Sequence, residues 1–317
     1  MLCVLGEALI DLVAERDGRF VAHSGGSPFN VAVGLARLGQ PTAFMARLSD
    51  DIFGRQLRAH VETNGVNTDS SVPAGEPTTL AVVSLDAQGR AEYQFYVDGT
   101  ADWQWTDDEL AGVPGDLSIF HTGSIASWTE PGGSRIVAAA RRLREQGVLI
   151  SYDPNARPRL MGSAADAVRT VEATVAVAHI VKCSDEDLAF LYPDRSVDDV
   201  IAQWLALGPE LVVVTLGSEG AAGATRAGVQ VRRKSVPITL ADTIGAGDAF
   251  MSGLLASLST RAVRTADDLA RMSREQLEDV VDDAVLTAAL TCERSGADQP
   301  TAAEFAAARA ERQGRQA

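Results

Sequence analysis

Short apolar runs alternate along this chain with segments whose apolar residues recur every three or four positions. The runs "LCVLGEA" (2–8), "FMARL" (44–48), "LAVVSL" (80–85), "SIFHTGS" (118–124), "VLISYD" (148–153), "HIVKCS" (179–184) and "LVVVTLG" (211–217) predict strands. Most are apolar throughout rather than at every second position, the pattern of strands covered on both faces of a parallel sheet. Between them "SPFNVAVGLARLG" (27–39) reads as a short buried helix, with Ser27 as N-cap, Pro28 at the first helical position and Gly39 as its stop. Further on, Ser273 and Gln276 form a capping box, and Leu277, Val280, Val281, Ala284, Val285, Ala288 and Ala289 repeat at helical spacing, so a core-facing helix is expected. Its acidic residues Glu278, Asp279, Asp282 and Asp283 read as a solvated face. Two segments break the α/β rhythm: residues 20–23, and "TLAVVSLDAQGRAEYQFYV" (79–97), which turns at "DAQGR". They predict a small β lid added to the main sheet. The last stretch, "AAARAERQGRQA" (306–317), reads as a frayed helix end.

Composition narrows the function classes. The 317 residues, 46% of them hydrophobic, suffice for a large packed α/β core. A formal net charge of −15 argues against nucleic acid or an anionic membrane as partner, because either needs a basic surface. Cys3, Cys183 and Cys292 are odd in number and far apart, so neither a disulfide framework nor a zinc site is indicated. The apolar start "MLCVLGEALIDLV" (1–13) lacks a basic flank and carries Glu7 and Asp11, which does not fit a signal peptide, and no stretch reaches 18 uninterrupted apolar residues. A cytoplasmic location is expected. His23, His60, His121 and His179 show no ligand spacing; His121 and His179 are expected in the core, and Trp103 and Trp105 as packing.

Open parallel sheets bind ligands beyond the carboxyl ends of their strands, so polar residues just past strand-like runs are the candidates for chemistry. "GEALIDL" presents Asp11 after Glu7. "HSGGSPFN" places Gly25 and Gly26 ahead of a helix and Asn30 on its first turn, and "SYDPNAR" carries Asp153, Asn155 and Arg157 past a strand. Turn chemistry alone would explain Gly25-Gly26 and Asp153-Pro154. Their occurrence together with "VKCSDED", "VTLGSEG" and "DTIGAGD" at the strand ends of one sheet points to a single ligand site. In "DTIGAGDAF" (242–250), Gly245 and Gly247 allow a tight turn whose N–H groups approach a ligand, and the following helix aims its positive dipole end the same way, which suits phosphate. The simpler alternative is that Asp248 merely caps the helix.

Taken together, "DTIGAGDAFMSGLL" (242–255), "GGSPFNVAVGLARLG" (25–39) with "DDIFGRQL" (50–57), and the series "GEALID…HTGS…DPNAR…VKCSDEDL…TLGSEGA" resemble the PfkB (ribokinase-like) carbohydrate kinases, and within them the bacterial fructokinases. The resemblance spans nearly the whole chain. It implies one kinase domain over residues 1–317, an α/β fold with a doubly wound, mostly parallel sheet and a small β-sheet lid with strands from about 12–24 and 79–100. It also implies phosphoryl transfer from ATP, with Mg²⁺, to a sugar hydroxyl. No GxxxxGK[ST] is present, consistent with a family that does not use that loop.

By the same resemblance Asp248 is the base that accepts the sugar proton, and the N–H groups around Gly245, Ala246 and Gly247 form the anion hole. On the sugar side Asp11 accepts hydrogen bonds from hydroxyls, Gly25 and Gly26 permit close approach, and Asn30 adds a polar contact. Phe95 is the lid residue expected to face the substrate, and Arg157 would reach the phosphates or an acidic substituent. Thr215, Gly217 and Gly220 would flank the nucleotide, with Lys182 in the same region. The family's Asn-x-x-Glu motif for a divalent ion stands here as Ser184 and Asp187, which implies Mg²⁺ held through water. Asp242 and the Ile244 carbonyl match the positions of a K⁺ site. A neutral hexose, fructose first, is the expected acceptor; 2-keto-3-deoxygluconate, with Arg157 on its carboxylate, or a nucleoside is the alternative. A sugar-binding regulator without turnover would lack the base or the glycine loop, and both are here. The apolar lid stretches "AVVSL" and "YQFYV" are expected to be covered in a homodimer.

Overall fold

In the computed structural model, which describes residues 1–15, 17–85 and 91–316, the strands follow in chain order as β1 Leu2–Leu5, β2 Leu9–Ala14, β3 Phe20–Gly25, β4 Thr42–Met45, β5 Arg47–Ser49, β6 Val72–Ala74, β7 Leu80–Leu85, β8 Ala91–Tyr96, β9 Ile119–Gly123, β10 Leu149–Asp153, β11 Ile180–Ser184, β12 Leu211–Thr215, β13 Ala221–Thr225 and β14 Gln230–Arg233. Eight of them form one sheet in the order β14-β13-β12-β11-β10-β9-β1-β4, parallel except that β13 runs antiparallel to both its neighbours.

Successive residues of a strand point to opposite faces, so a sheet covered on both sides needs strands that are apolar throughout. Leu2, Val4, Ile119, Leu149, Ile180 and Leu211 enter one core, against the helices Ser27–Arg37, Ala246–Thr260 and Arg274–Cys292. Their neighbours Cys3, Leu5, Phe120, Ile150, Val181 and Val212 enter the other, against Gly132–Glu145, Ala164–Val175 and Val197–Leu207. Trp103 and Trp105 are buried in the second core, and His121 and His179 are buried as well. Among the described residues no helix is long and apolar enough to cross a membrane.

Several local expectations need correction. "FMARL" is not one strand: Phe44 and Met45 end β4, while Arg47 and Leu48 open β5, which pairs with β6 in a two-stranded sheet. The break falls at Ala46, just before Arg47, whose buried guanidinium donates to the Ala101 carbonyl and pairs with Glu76 and Glu109. The expected lid run "LAVVSL" is β7, in a four-stranded sheet, β3-β2-β7-β8, apart from the large one. The turn expected at "DAQGR" (86–90) falls outside the described residues. Ser27 is not an N-cap. The helix begins at Ser27 itself, the N-cap is Gly26 at φ 107°, and the Ser27 hydroxyl bonds elsewhere. A side chain at Gly26 would come within 2.6 Å of the Glu7 carbonyl oxygen, so the position is closed to other residues on two counts.

The capping box of Ser273 and Gln276 is present. Asp283, however, does not belong to a solvated face. It is buried and accepts from the Ser257 hydroxyl at 2.7 Å and from Arg261 at 2.9 Å, with Arg309 at 3.1 Å on its other oxygen. Arg309 belongs to the helix Ala302–Gln316, which this ion pair ties to the core at its middle.

Candidate active site

From β1 the chain moves to β4 on one side, whereas β9, β10, β11 and β12 follow one another on the other side. The order thus reverses between β1 and β9, and a crevice opens beyond the carboxyl ends of the strands there. Glu7 follows β1, Asp153 ends β10, Ser184 ends β11 and Thr215 ends β12. Glu7 is buried and accepts from the Ala126 N–H at 3.1 Å. Burial raises its carboxyl above the ordinary value, opposed by hydrogen bonds from Ser124 and Ala126 and by the charge of Arg157.

The helix Ala246–Thr260 starts after Gly245, whose φ of 73° is left-handed and whose Cβ, if present, would lie 2.6 Å from that of Ala297. A glycine is therefore required to turn the chain into the helix. The N-cap is this glycine, without a side-chain cap, so Asp248 does not cap the helix: it stands inside the first turn, buried. Its Oδ1 accepts from the Ser27 hydroxyl at 2.6 Å and its Oδ2 from the Asn30 amide at 2.8 Å. Burial raises its carboxyl above the ordinary value, while those two hydrogen bonds and the charges of Lys182 and Arg157 pull the other way. Asn30, expected on the sugar, donates from its side-chain Nδ2 to Asp248, and its backbone carbonyl accepts from Gln299 at 2.8 Å.

Lys182 is buried on β11 and donates to Asp153 Oδ2 at 2.8 Å. A Cβ on Gly247 would lie 3.1 Å from its Nζ, which places the ammonium directly against the glycine loop. Burial acts to lower its titration point, but Asp153, followed by Asp187 and Asp248, raises it overall, so it remains an ammonium. Asp153 is pushed up to about 6 by burial, with Lys182 opposing the rise and Asp187 adding to it.

A cavity of about 1080 Å³ brings together Phe95, Arg157, Lys182, Ser184, Asp187, Thr215, Gly217, Gly220, Ile244, Ala246 and Gly247, with Val236, Ile238, Val285 and Ala289 among its apolar lining. A smaller one of about 680 Å³ lies over β13 and β14. It holds none of the strand-end residues, and its Arg226 and Arg232 are paired with Glu210 and Asp198.

Asp11, Gly25, Gly26, Asn30 and Asp248 do not line the large cavity. Arg157, which does line it, exerts its charge on Asp11 and Asp248 alike. Arg157 itself is braced by the Asn155 and Ala156 carbonyls at 2.9 and 3.0 Å. Asp11 on β2 is pushed up to about 6 by burial, with His23 and Arg157 lowering it and Asp248 raising it. A methyl at Gly25 would meet Asp11 Oδ2 at 2.3 Å, which explains the absence of a side chain there.

Ser184 and Asp187 form a capping box: the Ser184 hydroxyl accepts from the Asp187 N–H at 3.0 Å, and Asp187 Oδ2 from the Ser184 N–H at 2.9 Å. Asp187 Oδ1 accepts from Ala156 N–H at 2.8 Å. Asp185 and Glu186 stand beside them on the cavity rim. Among the described residues no group of three or more His, Cys, Asp or Glu side chains is placed to hold a metal ion. Asp242 Oδ1 accepts from the N–H groups of Thr243 and Ile244 at 2.7 and 3.0 Å, and Oδ2 from Gly296 at 2.9 Å, so this carboxylate organises the start of the glycine loop; the Ile244 side chain is exposed.

The contact between Ser27 and Asp248 was beyond sequence reasoning, because a serine at a helix start reads as a local cap. Asp153, named only as a strand-end residue, proves to be the partner of Lys182. Two ionisable residues on successive parallel strands were the available signal for that pair.

An oriented carboxylate at a glycine-lined helix start, with a buried ammonium beside it, suits phosphoryl transfer to a hydroxyl, which is mostly a matter of positioning and charge. The family model described as pfkB family carbohydrate kinase matches residues 1–304. The fructokinase of Rhizobium leguminosarum bv. trifolii is 35% identical over 284 residues, covering 87% of this chain and 85% of that protein. The structure of a Xylella fastidiosa fructokinase with bound ATP superposes with a TM-score of 0.90 at 27% identity, over 98% of both chains. A double mutant of Vibrio cholerae fructokinase, with fructose, ADP and potassium ion bound, gives 0.83 at 30% identity over 96% of this chain and 97% of that one. The chain belongs to the pfkB family of carbohydrate kinases. It is an ATP-dependent sugar kinase with the ribokinase-like fold.

Proposed function

We propose that this kinase phosphorylates fructose and that Asp248 accepts the proton of the attacking hydroxyl. The observation that carries the reading is the fixed carboxylate of Asp248, held by Ser27 and Asn30 at the glycine loop and within electrostatic reach of Asp11. The N–H groups around Gly245, Ala246 and Gly247 receive the transferred phosphoryl oxygens, with the Lys182 ammonium beside them. Thr215, Gly217 and Gly220 line the nucleotide side of the cavity, and Val285 and Ala289 offer the base an apolar end. Asp11 accepts sugar hydroxyls, and Gly25 and Gly26 let the sugar approach the backbone. Phe95 and Arg157 close the cleft, and the four-stranded sheet serves as a lid. A substrate carboxylate beside Asp11 would meet a like charge, so a neutral ketose fits better than a sugar acid.

Ser184 and Asp187 would hold Mg²⁺ through water, with Asp185 and Glu186 beside them on the cavity wall, since both Asp187 oxygens already accept backbone N–H groups. Mg²⁺ would neutralise phosphate charge. Asp242 and the Ile244 carbonyl fit a K⁺ ion that stiffens the loop before phosphate arrives; equal rates in K⁺ and in a bulky organic cation would remove that role. The exposed Phe20, Val21 and Tyr96 on the outer strands of the lid support a homodimer in the cytoplasm, and a sedimenting species of one chain's mass at micromolar concentration would contradict it. The main reading is tested by ADP release with ATP and fructose, ribose, 2-keto-3-deoxygluconate or inosine under one set of conditions. Fructose should give the highest kcat/KM; a tenfold preference for the keto-acid would reassign Arg157 to a substrate carboxylate.

A further inference from the structure

The register of the four-stranded sheet sets four residues side by side across all its strands. His23 of β3 pairs with Asp11 of β2, Asp11 with Ala81 of β7, and Ala81 with Phe95 of β8. Residues paired in register share a face, so these four form one row. The opposite face carries Ile10, Leu12, Ala22 and Leu80, which pack on the core that includes Phe29 and Leu57. The row that ends in His23 is therefore the one that faces the cleft, where Phe95 lines the cavity and Asp11 lies within the field of Asp248 and Arg157.

Three charged groups surround Asp11, each from a different element. Asp248 comes from the start of the Ala246–Thr260 helix and disfavours a second negative charge, while Arg157, past β10, and His23, across the strand pair, favour it. Arginine as a residue type stays charged throughout, whereas histidine as a residue type gains its charge over the acidic range in which a buried carboxyl takes up its proton. His23 is solvent-exposed on the outer strand β3.

We propose that His23 is a positioning residue that acts through Asp11, keeping this carboxylate charged, and so able to accept sugar hydroxyls, when the medium turns acidic. The inference rests on the reading of Asp11 as a sugar ligand and goes beyond it by assigning the residue that sets the acid limit of sugar affinity. Directly opposed residues have Cβ atoms about 5 Å apart, close enough for an imidazolium to steady a carboxylate without blocking its outer lone pairs.

The test compares wild type, His23→Gln and His23→Lys from pH 5.5 to 8.5, using whichever of the tested sugars wild type turns over best, with calorimetric binding of that sugar at pH 5.5 and 8. In His23→Gln the acid fall in kcat/KM for the sugar should begin at higher pH. At pH 6 the variant should lose about 3–10-fold through KM, against less than twofold at pH 8, with KM for ATP unchanged. His23→Lys, with a fixed charge, should keep the wild-type limb or move it further toward acid. Superimposable profiles for wild type and His23→Gln would overturn the assignment while leaving the kinase reading intact. A wild type that neither binds nor phosphorylates any of the sugars would overturn the reading of Asp11 itself.

Discussion

The hydroxyl of Ser27 donates to Asp248 at 2.6 Å across 221 residues of chain. With Asn30 on the other oxygen, both ends of the carboxylate are held by one helix start while its backbone belongs to another. Packing of the Ser27–Arg37 helix against the Ala246–Thr260 helix is thus what aims Asp248 at the crevice.

Asp248→Asn should keep this geometry on the Ser27 side and remove the proton acceptor. A fall in kcat of roughly 10²–10⁴-fold is expected, with calorimetric affinities for sugar and nucleotide little changed. Near-normal turnover of the purified variant would rule Asp248 out as the base.

Lys182 and Asp153 are both buried, so removing one partner strands the other. Lys182→Met should cost about 3–5 kcal/mol of stability near pH 8, where Asp153 is ionised, and most of that loss should be recovered in the Lys182→Met, Asp153→Asn double variant. Urea unfolding of the four proteins measures the coupling. Additive effects would mean that the two charges are not a stability unit.

Gly25→Ala would push a methyl against Asp11 Oδ2. The obstructing atom is the end of a side chain that can swing aside, so little stability should be lost, but the carboxylate leaves its place. KM for the sugar should rise about tenfold or more with KM for ATP unchanged, the value of a hydrogen bond to a charged group. An unaltered sugar KM in steady-state kinetics would separate Asp11 from the substrate.

Asp102 accepts from the Ala8 N–H at 2.9 Å, and burial pushes its carboxyl up to about 7, with Thr79 and Ala8 opposing the rise. A carboxyl whose folded value lies above its unfolded value of 3.8 contributes stability that is complete below about 3.8 and is lost as pH rises through about 7. Asp102→Asn does not titrate and keeps an acceptor for Ala8. It should therefore be more stable than wild type at pH 8 by on the order of 1–3 kcal/mol, with the gain fading toward pH 4. Asp11 and Asp153 titrate in both proteins and cancel from the difference. A gain of equal size at pH 4 and pH 8 would show that the charge of Asp102 is not its cause.

Much of this protein is legible in its sequence, because the features concerned are short-range. Unbroken apolar runs dictate strands covered on both faces, Gly245 and Gly247 dictate a tight turn into a helix, and Ser273 with Gln276 marks a helix start; each follows from backbone sterics and burial within a few residues. Tertiary structure alone decided which polar groups meet. Ser27 looked like a local cap because a hydroxyl at a helix start usually finds a backbone N–H; here Asp248, brought in by helix packing, offers a charged acceptor. Asp283 looked solvated because its neighbours in sequence are acidic, yet the helices that close over it supply Ser257, Arg261 and Arg309. The pairing of His23 with Asp11 likewise depends on strand register, which the pattern of apolar residues along a half-exposed edge strand does not specify.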